Sequence, residues 1–485
     1  MSSETKKRIV RNALYNNLSS FVSKFAAIAF TMVLARLMNP EMFGVYFLAL
    51  SVASVVLTFS DLGVGGALQR YVSNSLGKND KALARSYSRY ILRIKIVLVM
   101  AGTSSLFFLS GPLSSFVFSK PELTLPLQIV SFYVFFEAVS ELMIHYFVSV
   151  QEFKYKVLKT VFFQVFRFIF VPLLVIFGFG AEGALAGTVL TLVLVTFILA
   201  FLLFRKHLYL FRGPVKSIPR RKLFTFISYT TVYMVSAALY FSIDTLMIGA
   251  LLPIEDAGYY RAAITIVSAF IGVVSIYQVV FPLFSQQTGD NLRRTLRESF
   301  RYISILSFPL PFILALFGEQ AIKVLYTPEY IPAALPLAIL SLLVIETIGS
   351  DLFTTLLVSQ EKPQIPAYIM IFSMSLNCIL NYVFIINFGI LGAAFATVVS
   401  RYANTLLLGI SLKRALNITP AFSSIAKPLF SSLIMFAFLW MLPAPHEIII
   451  GIGEIIAGVL VYLTVMFAIK GISKKDFDIV LSVFK

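Results

Sequence analysis

Apolar runs of about 20 residues recur along this chain of 485 residues, the length a helix needs to cross a bilayer's hydrocarbon core. A large soluble core built from strands or short helices would show shorter runs between polar breaks. With 59% hydrophobic and 13% charged residues and a mean hydropathy of +0.89, too few charges remain to cover a water-soluble globule. The chain reads as an all-α polytopic membrane protein. Fourteen candidate spans start near Leu18, Phe43, Tyr90, Leu125, Val157, Ala184, Phe224, Ala262, Tyr302, Leu335, Ile365, Leu391, Ile425 and Ile448. The basic N-terminus leads into an apolar segment without a clear cleavage site, so the first span is expected to be retained.

Charge tests the count. Lysine and arginine favour cytoplasmic loops, so a correct count places them in every second connection. With fourteen spans, all of the 40 basic residues except Lys24, Arg36, Lys120, Arg167, Arg261, Lys323 and Arg401 fall on one side. Both termini are then expected in the cytoplasm. The net charge of +17 is a topological signal and not a nucleic-acid footprint, because no polar domain gathers it. One cysteine, Cys378, and three scattered histidines, His145, His207 and His446, exclude a disulfide framework and give no metal-ligand spacing. No cofactor is implied.

The sequence also repeats. A shift of 214 lays Asn39–Tyr46 on Pro253–Tyr260, matching Glu41 with Glu255, Gly44 with Gly258 and Tyr46 with Tyr260. A shift of 209 lays "GAEGALAGT" (Gly180–Thr188) on "GILGAAFAT" (Gly389–Thr397) and "VQEF" on "SQEK". Six spans per repeat puts both halves in one orientation, a transporter architecture with the substrate site between the halves. The expected organisation is an N-lobe over 1–204, a basic cytoplasmic linker over 205–223, a C-lobe over 224–412, two further spans over 413–470 and an interfacial amphipathic tail over 471–485.

Three stretches carry a resemblance: "LARLMNPEMFGVYFLALSVASVVLTFSDLGVGGALQRYV", "FSIDTLMIGALLPIEDAGYY" and "FGILGAAFATVVSRY". Together they resemble the oligosaccharide flippases, the polysaccharide-transporter branch of the multidrug/oligosaccharidyl-lipid/polysaccharide exporter superfamily. The resemblance implies two parallel six-helix lobes around a central cavity. It also implies a cell-membrane protein, expected to work as a monomer, that moves a polyprenyl-diphosphate-linked oligosaccharide to the outer leaflet by alternating access. Membrane lipids would surround it, and protons or sodium ions are candidate coupling partners.

A diphosphate cargo calls for cations at membrane depth, where an ionisable group marks function by default. Lys24, Arg167 and Arg401 lie within spans, and Arg70 lies at the cytoplasmic end of the second; these four are the candidate substrate contacts. The acids are more numerous. Glu137, Glu141 and His145 share one helical face by their spacing of four, and Glu346 is the repeat counterpart of Glu137. Asp61, Asp244, Asp351 and Glu454 add to them. Two roles stay open for these acids: structural ion pairs, such as Glu137 or Glu141 with Arg167 and Asp61 with Lys24, or ion coupling through a carboxylate that binds a proton or sodium. Asp61 and Arg70, nine residues apart, face opposite sides of an ideal helix and are not expected to pair. A multidrug antiporter would use the same acids without needing the bases. A membrane-embedded polysaccharide polymerase would want a large outer loop or a catalytic cluster, and the predicted outer connections are short. A transporter is therefore expected and not an enzyme.

Overall fold

The computed structural model describes residues 15, 19, 22, 23, 25–275, 277–419, 424–443 and 448–472, and the regular elements among them are all helical. Lys24 and most of the tail over 471–485 lie outside the described residues. In order, the first helices are α1 (Phe25–Leu37), α2 (Pro40–Asp61), α3 (Val64–Gly77), α4 (Lys81–Pro112), α5 (Thr124–Ser149), α6 (Lys154–Leu174), α7 (Gly180–His207), α8 (Arg220–Leu251) and α9 (Ile254–Val274). Then follow α10 (Tyr277–Gln286), α11 (Gly289–Ser307), α12 (Pro309–Leu325), α13 (Ala334–Leu340), α14 (Leu343–Ser359), α15 (Gln364–Leu416), α16 (Ala426–Trp440) and α17 (Ile448–Ala468). Nine helical stretches among the described residues are long and apolar enough to cross a membrane, or ten if the bent pair Pro328–Leu340 and Leu343–Ser359 is one span. The protein is a multi-pass, all-helical membrane protein.

Local chemistry sets the helix boundaries. Asn39 caps α2, its Oδ1 accepting from the Met42 amide at 2.9 Å, and Pro40 follows where a missing N–H does no harm. Asp80 caps α4 in the same way through Leu83 N at 3.0 Å. The α2 helix stops at two successive left-handed residues, Leu62 (φ 45°) and Gly63 (φ 73°), after which α3 starts afresh. The glycine-rich stretch after Asp61 is thus a true break, and Gly65 beside it lets α3 close onto the His145 ring of α5.

Contacts divide the chain into two compact units, one running to Arg261 and one from Ala262 onward. In the first, α5 packs against α4 and α7, and α6 against α7. A buried cluster including Leu68, Val72, Ile91, Phe147 and Leu199 fills the space where α3, α4, α5 and α7 meet. Contacts group α8 with this unit: Thr231 Oγ1 donates to Leu62 O at 2.7 Å, and Ser54 and Ser242 share a hydrogen bond of 2.9 Å. The compact unit therefore ends later in the chain than the basic linker. Lys120, between two spans, donates to Gly249 O at 2.7 Å and Leu252 O at 2.8 Å and closes the C-terminus of α8; burial pushes its ammonium below the ordinary lysine range. In the second unit, α14 packs on α15 and α16 on α17, with Tyr462, Met435, Met466 and Phe317 in one apolar cluster.

The repeat has a structural counterpart. Gly180 (φ 53°, ψ −137°) and Gly389 (φ 59°, ψ −140°), aligned by the shift of 209, hold the same backbone conformation, one that a side chain would strain. Each breaks a long helical stretch. Eight residues on in each copy, Thr188 and Thr397 donate to the carbonyls four residues back, Ala184 and Ala393, at 2.9 Å in both. Gly44 and Gly258, aligned by the shift of 214, lie against each other where α2 meets α9, and a methyl group on either would meet backbone of the other helix.

Candidate functional site: buried charges of two helical units

Inside the first unit, charged and polar side chains that the sequence scatters over five helices form a seam. Asp61, at the end of α2, pairs with Lys95 of α4, whose side chain is 3% exposed. By position in the sequence Lys95 stands among the cytoplasmic anchors, and Lys24 is the expected partner of Asp61. The helix spacing could not show that Lys95, on the long α4, turns inward. One step further, the side-chain amide nitrogen of Gln69 lies 2.5 Å from His145 Nδ1.

Glu137 and Glu141 share one ammonium. Lys159 Nζ donates to Glu137 Oε1 at 2.9 Å and also to Glu141 Oε1. Lys159, like Lys95, was read from the sequence as a loop cation, yet it is buried on α6, and it takes the place expected for Arg167. Ammonium and carboxylates lie close enough to offset much of the burial cost that each would bear alone.

Arg167 sits apart from the acids. Its guanidinium lies 3.6 Å from the centre of the Phe30 ring, and Nη2 donates to the Tyr46 hydroxyl at 2.9 Å. That hydroxyl in turn shares a hydrogen bond of 3.1 Å with Thr188. The aromatic face supplies electron density that a carboxylate was expected to supply. Arg167 Nε is buried and finds no hydrogen-bond partner among the described residues. Arg70 lies exposed on α3, 4.7 Å from the centre of the Phe226 ring, and does not pair with Asp61; the two stand on separate helices across the break at Leu62 and Gly63, so the spacing on one continuous helix is not what keeps them apart. Asp244 of α8 accepts from the Tyr260 hydroxyl of α9 at 3.0 Å.

The second unit carries a polar patch across α14 and α15. Glu346, 3% exposed, accepts a hydrogen bond from Thr405, and the charge of Arg401 acts on it. Asp351 accepts from Ser275 at 2.5 Å. Asn381 donates to Asn377 at 3.0 Å, and Asn377 donates across the Gly389 break to Ser400 at 3.1 Å. These asparagines join the two segments of α15 on either side of the Gly389 break. Glu137 and its repeat counterpart Glu346 thus keep one position in the repeat but differ in partners, an ammonium in one case and a hydroxyl in the other. Among the described residues, no group of three or more acidic, histidine or cysteine side chains is arranged to hold a metal.

Charges buried within apolar spans, several of them in ion pairs, fit a membrane transporter, and comparison with known proteins gives the family. The model of the family described as polysaccharide biosynthesis protein matches residues 33–335, more than half of the chain. The chain belongs to that family. Among curated proteins, it is 28% identical over 267 residues to the probable low-salt glycan biosynthesis flippase Agl15 of Haloferax volcanii. That match takes in 53% of this chain and 56% of the relative, so the chain spans about half of the relative's length. Among solved structures, the lipid II flippase MurJ in an inward closed conformation is similar at a TM-score of 0.77 and 14% identity, covering 94% of this chain and 98% of that one. A multidrug resistance MATE family transporter of the MOP superfamily, in an inward-facing conformation, matches at 0.68 and 14% identity over 81% and 94%. At these identities the likeness is one of fold. The family membership and shared fold agree with the resemblance found in the sequence.

Proposed function

We propose that the protein is a flippase of the cell membrane that moves a polyprenyl-diphosphate-linked oligosaccharide from the cytoplasmic to the outer leaflet by alternating access. The observation that carries this reading is the family match over residues 33–335. The Agl15 relative and the MurJ-like fold point the same way. The role is transport without covalent chemistry.

Fourteen spans with both termini cytoplasmic remain our reading of the topology. Support comes from the long apolar stretches, the bent pair before α15 and the shorter apolar helices Phe25–Leu37 and Ala426–Trp440. The stretches Lys154–Leu210 (57 residues) and Gln364–Leu416 (53 residues) each exceed twice the roughly 20 residues of one crossing. Each is interrupted by a glycine of positive φ, so each counts as two spans.

Arg70, Arg167 and Arg401 are proposed contacts for the anionic head, with Lys24 retained from the sequence. The unmatched Nε of Arg167 supports its part. Asp61, Glu137, Glu141, Asp244, Glu346 and Asp351 are proposed either to balance buried cations or to couple transport to protons or sodium. For Asp61, Glu137 and Glu141 the observed lysine partners favour balance. The test is reconstitution into liposomes with a lipid-linked oligosaccharide, scoring exposure of the head to an external lectin. Transfer no faster than in protein-free vesicles, across several candidate lipids and with or without an ion gradient, sinks the flippase reading.

A second reading, a multidrug antiporter, is favoured by the likeness to the MATE fold. Gradient-driven efflux of an organic cation from the same vesicles, without lipid transfer, would select it.

A further inference from the structure

Beside the charged seam, the first unit carries a second cluster of cations, outside the proposed cargo contacts. The basic segment after α7 is strapped across the start of α4. Arg89 Nε donates to Phe211 O at 2.8 Å and its Nη2 to Gly213 O at 3.1 Å, while Arg85 Nη1 donates to Pro214 O at 3.0 Å. The Lys216 amide donates to Ser86 Oγ at 2.6 Å, and Lys216 Nζ pairs with Asp80. The strap and α4 enclose a pocket of about 210 Å³ lined by Ser86, Arg89, Arg93, Lys216 and Arg220.

Two of these cations are left over. Arg93 is exposed and has no hydrogen bond or ion pair among the described residues, and Arg220 only lies 5.3 Å from the centre of the Tyr90 ring. Arg85, Arg89 and Lys216 already have carbonyl or carboxylate partners, so the two free guanidiniums suit one phosphate. Less than a helical turn further along α4, a groove of about 330 Å³ opens between α4, α5 and α7. Leu92, Ile96, Met100, Phe204 and Phe211 line it, and Ile96, Met100 and Phe204 are half exposed along its open side. Pocket and groove adjoin: Phe211 lines the groove, and Arg89, which holds its carbonyl, lines the pocket.

We propose that α4 and the strap bind one anionic phospholipid of the surrounding membrane, its phosphate between Arg93 and Arg220 and one acyl or isoprenoid chain in the groove. Charge complementarity and an apolar slot next to the cations specify an amphiphile rather than a free anion. Two spare cations, enough for a single phosphate, favour a phosphodiester lipid over a lipid-linked oligosaccharide with its diphosphate. The site stands whether or not the flippase reading does, because it is tested by binding and not by transfer.

The test is native mass spectrometry of the full-length protein, titrated in detergent with phosphatidylglycerol or phosphatidylcholine. Phosphatidylglycerol is expected to bind one site preferentially. Arg93→Gln with Arg220→Gln should weaken that site about 30-fold, each surface cation contributing a factor of roughly five. Ile96→Trp, which fills the groove and leaves both cations in place, should weaken it roughly tenfold, and Lys81→Gln, outside the pocket, should leave it unchanged. Equal retention of both lipids, or unchanged binding in the double variant with its thermal stability intact, overturns the proposal. Competition by soluble glycerol phosphate as strong as by the lipid would make it a headgroup-only anion site and refute the groove. Displacement of phosphatidylglycerol by equimolar polyprenyl diphosphate would reassign the site to the cargo.

Discussion

Replacing Lys95 by methionine keeps most of the side-chain volume and removes the charge that, among the described residues, pairs with Asp61. Lys95 is 3% and Asp61 16% exposed in their side chains, so the orphaned carboxylate would stay in low dielectric with little water to reach it. Breaking a buried pair from one side costs about 3–5 kcal/mol. The partial exposure of Asp61 puts the expected loss near the lower end, about 3 kcal/mol, which is more than a hundredfold in the folded-to-unfolded ratio. Removing both charges, Asp61→Asn with Lys95→Met, leaves no unpaired ion and should restore most of that loss. Thermal unfolding of the purified protein in one detergent, for wild type, both single variants and the double variant, reads the cycle. Additive single losses in the double variant would refute the buried pair as the reason Lys95 turns inward. A silent Lys95→Met would refute its burial altogether.

Lys159→Met removes the ammonium shared by Glu137 and Glu141, whose side chains are 21% and 46% exposed, and should destabilise by an amount similar to Lys95→Met, two carboxylates offsetting their greater exposure; thermal unfolding of the two variants side by side checks this. Gly389→Ala forces a side chain into φ 59°, ψ −140° and should cost about 1–3 kcal/mol, with Gly180→Ala costing a similar amount; a drop in thermal midpoint for only one of them would break the structural repeat. Outside the spans, the hydrogen bond from Lys216 holds the Asp80 carboxyl below its ordinary range. Because the folded value is depressed, this contribution is fully present above about pH 4 and is lost as pH falls through the lowered value. Asp80→Asn should flatten stability on the acid side only, as read by unfolding midpoints between pH 3 and 7.

The membrane class and the breaks at Gly180 and Gly389 were legible because they depend on local composition and on residues a few positions apart. Their register was legible because two glycines and two threonines recur at the same spacing. The partners of the acids were not. Lys95 and Lys159 stand near the ends of polar stretches, where sequence alone makes a cation an anchor for the membrane surface. Long helices that continue past the apolar window carry both lysines inward instead. A signal was present, since Glu137 and Glu141 lie on one face and Lys159 begins the next apolar run, but only packing of α5 beside α6 brings the three together.

The sequence by itself determined that this protein is a helical membrane protein and where the chain must break, since water-to-lipid transfer and backbone sterics act on each segment separately. It also determined that charges would be buried, because they stand within or beside apolar runs too long to leave lipid. Which charge meets which was decided by the tertiary structure. An ion pair depends on helix rotation and crossing, and these are set by side chains far apart in the chain: Gly65 admitting His145, Gly44 against Gly258, and Phe30 taking the guanidinium of Arg167.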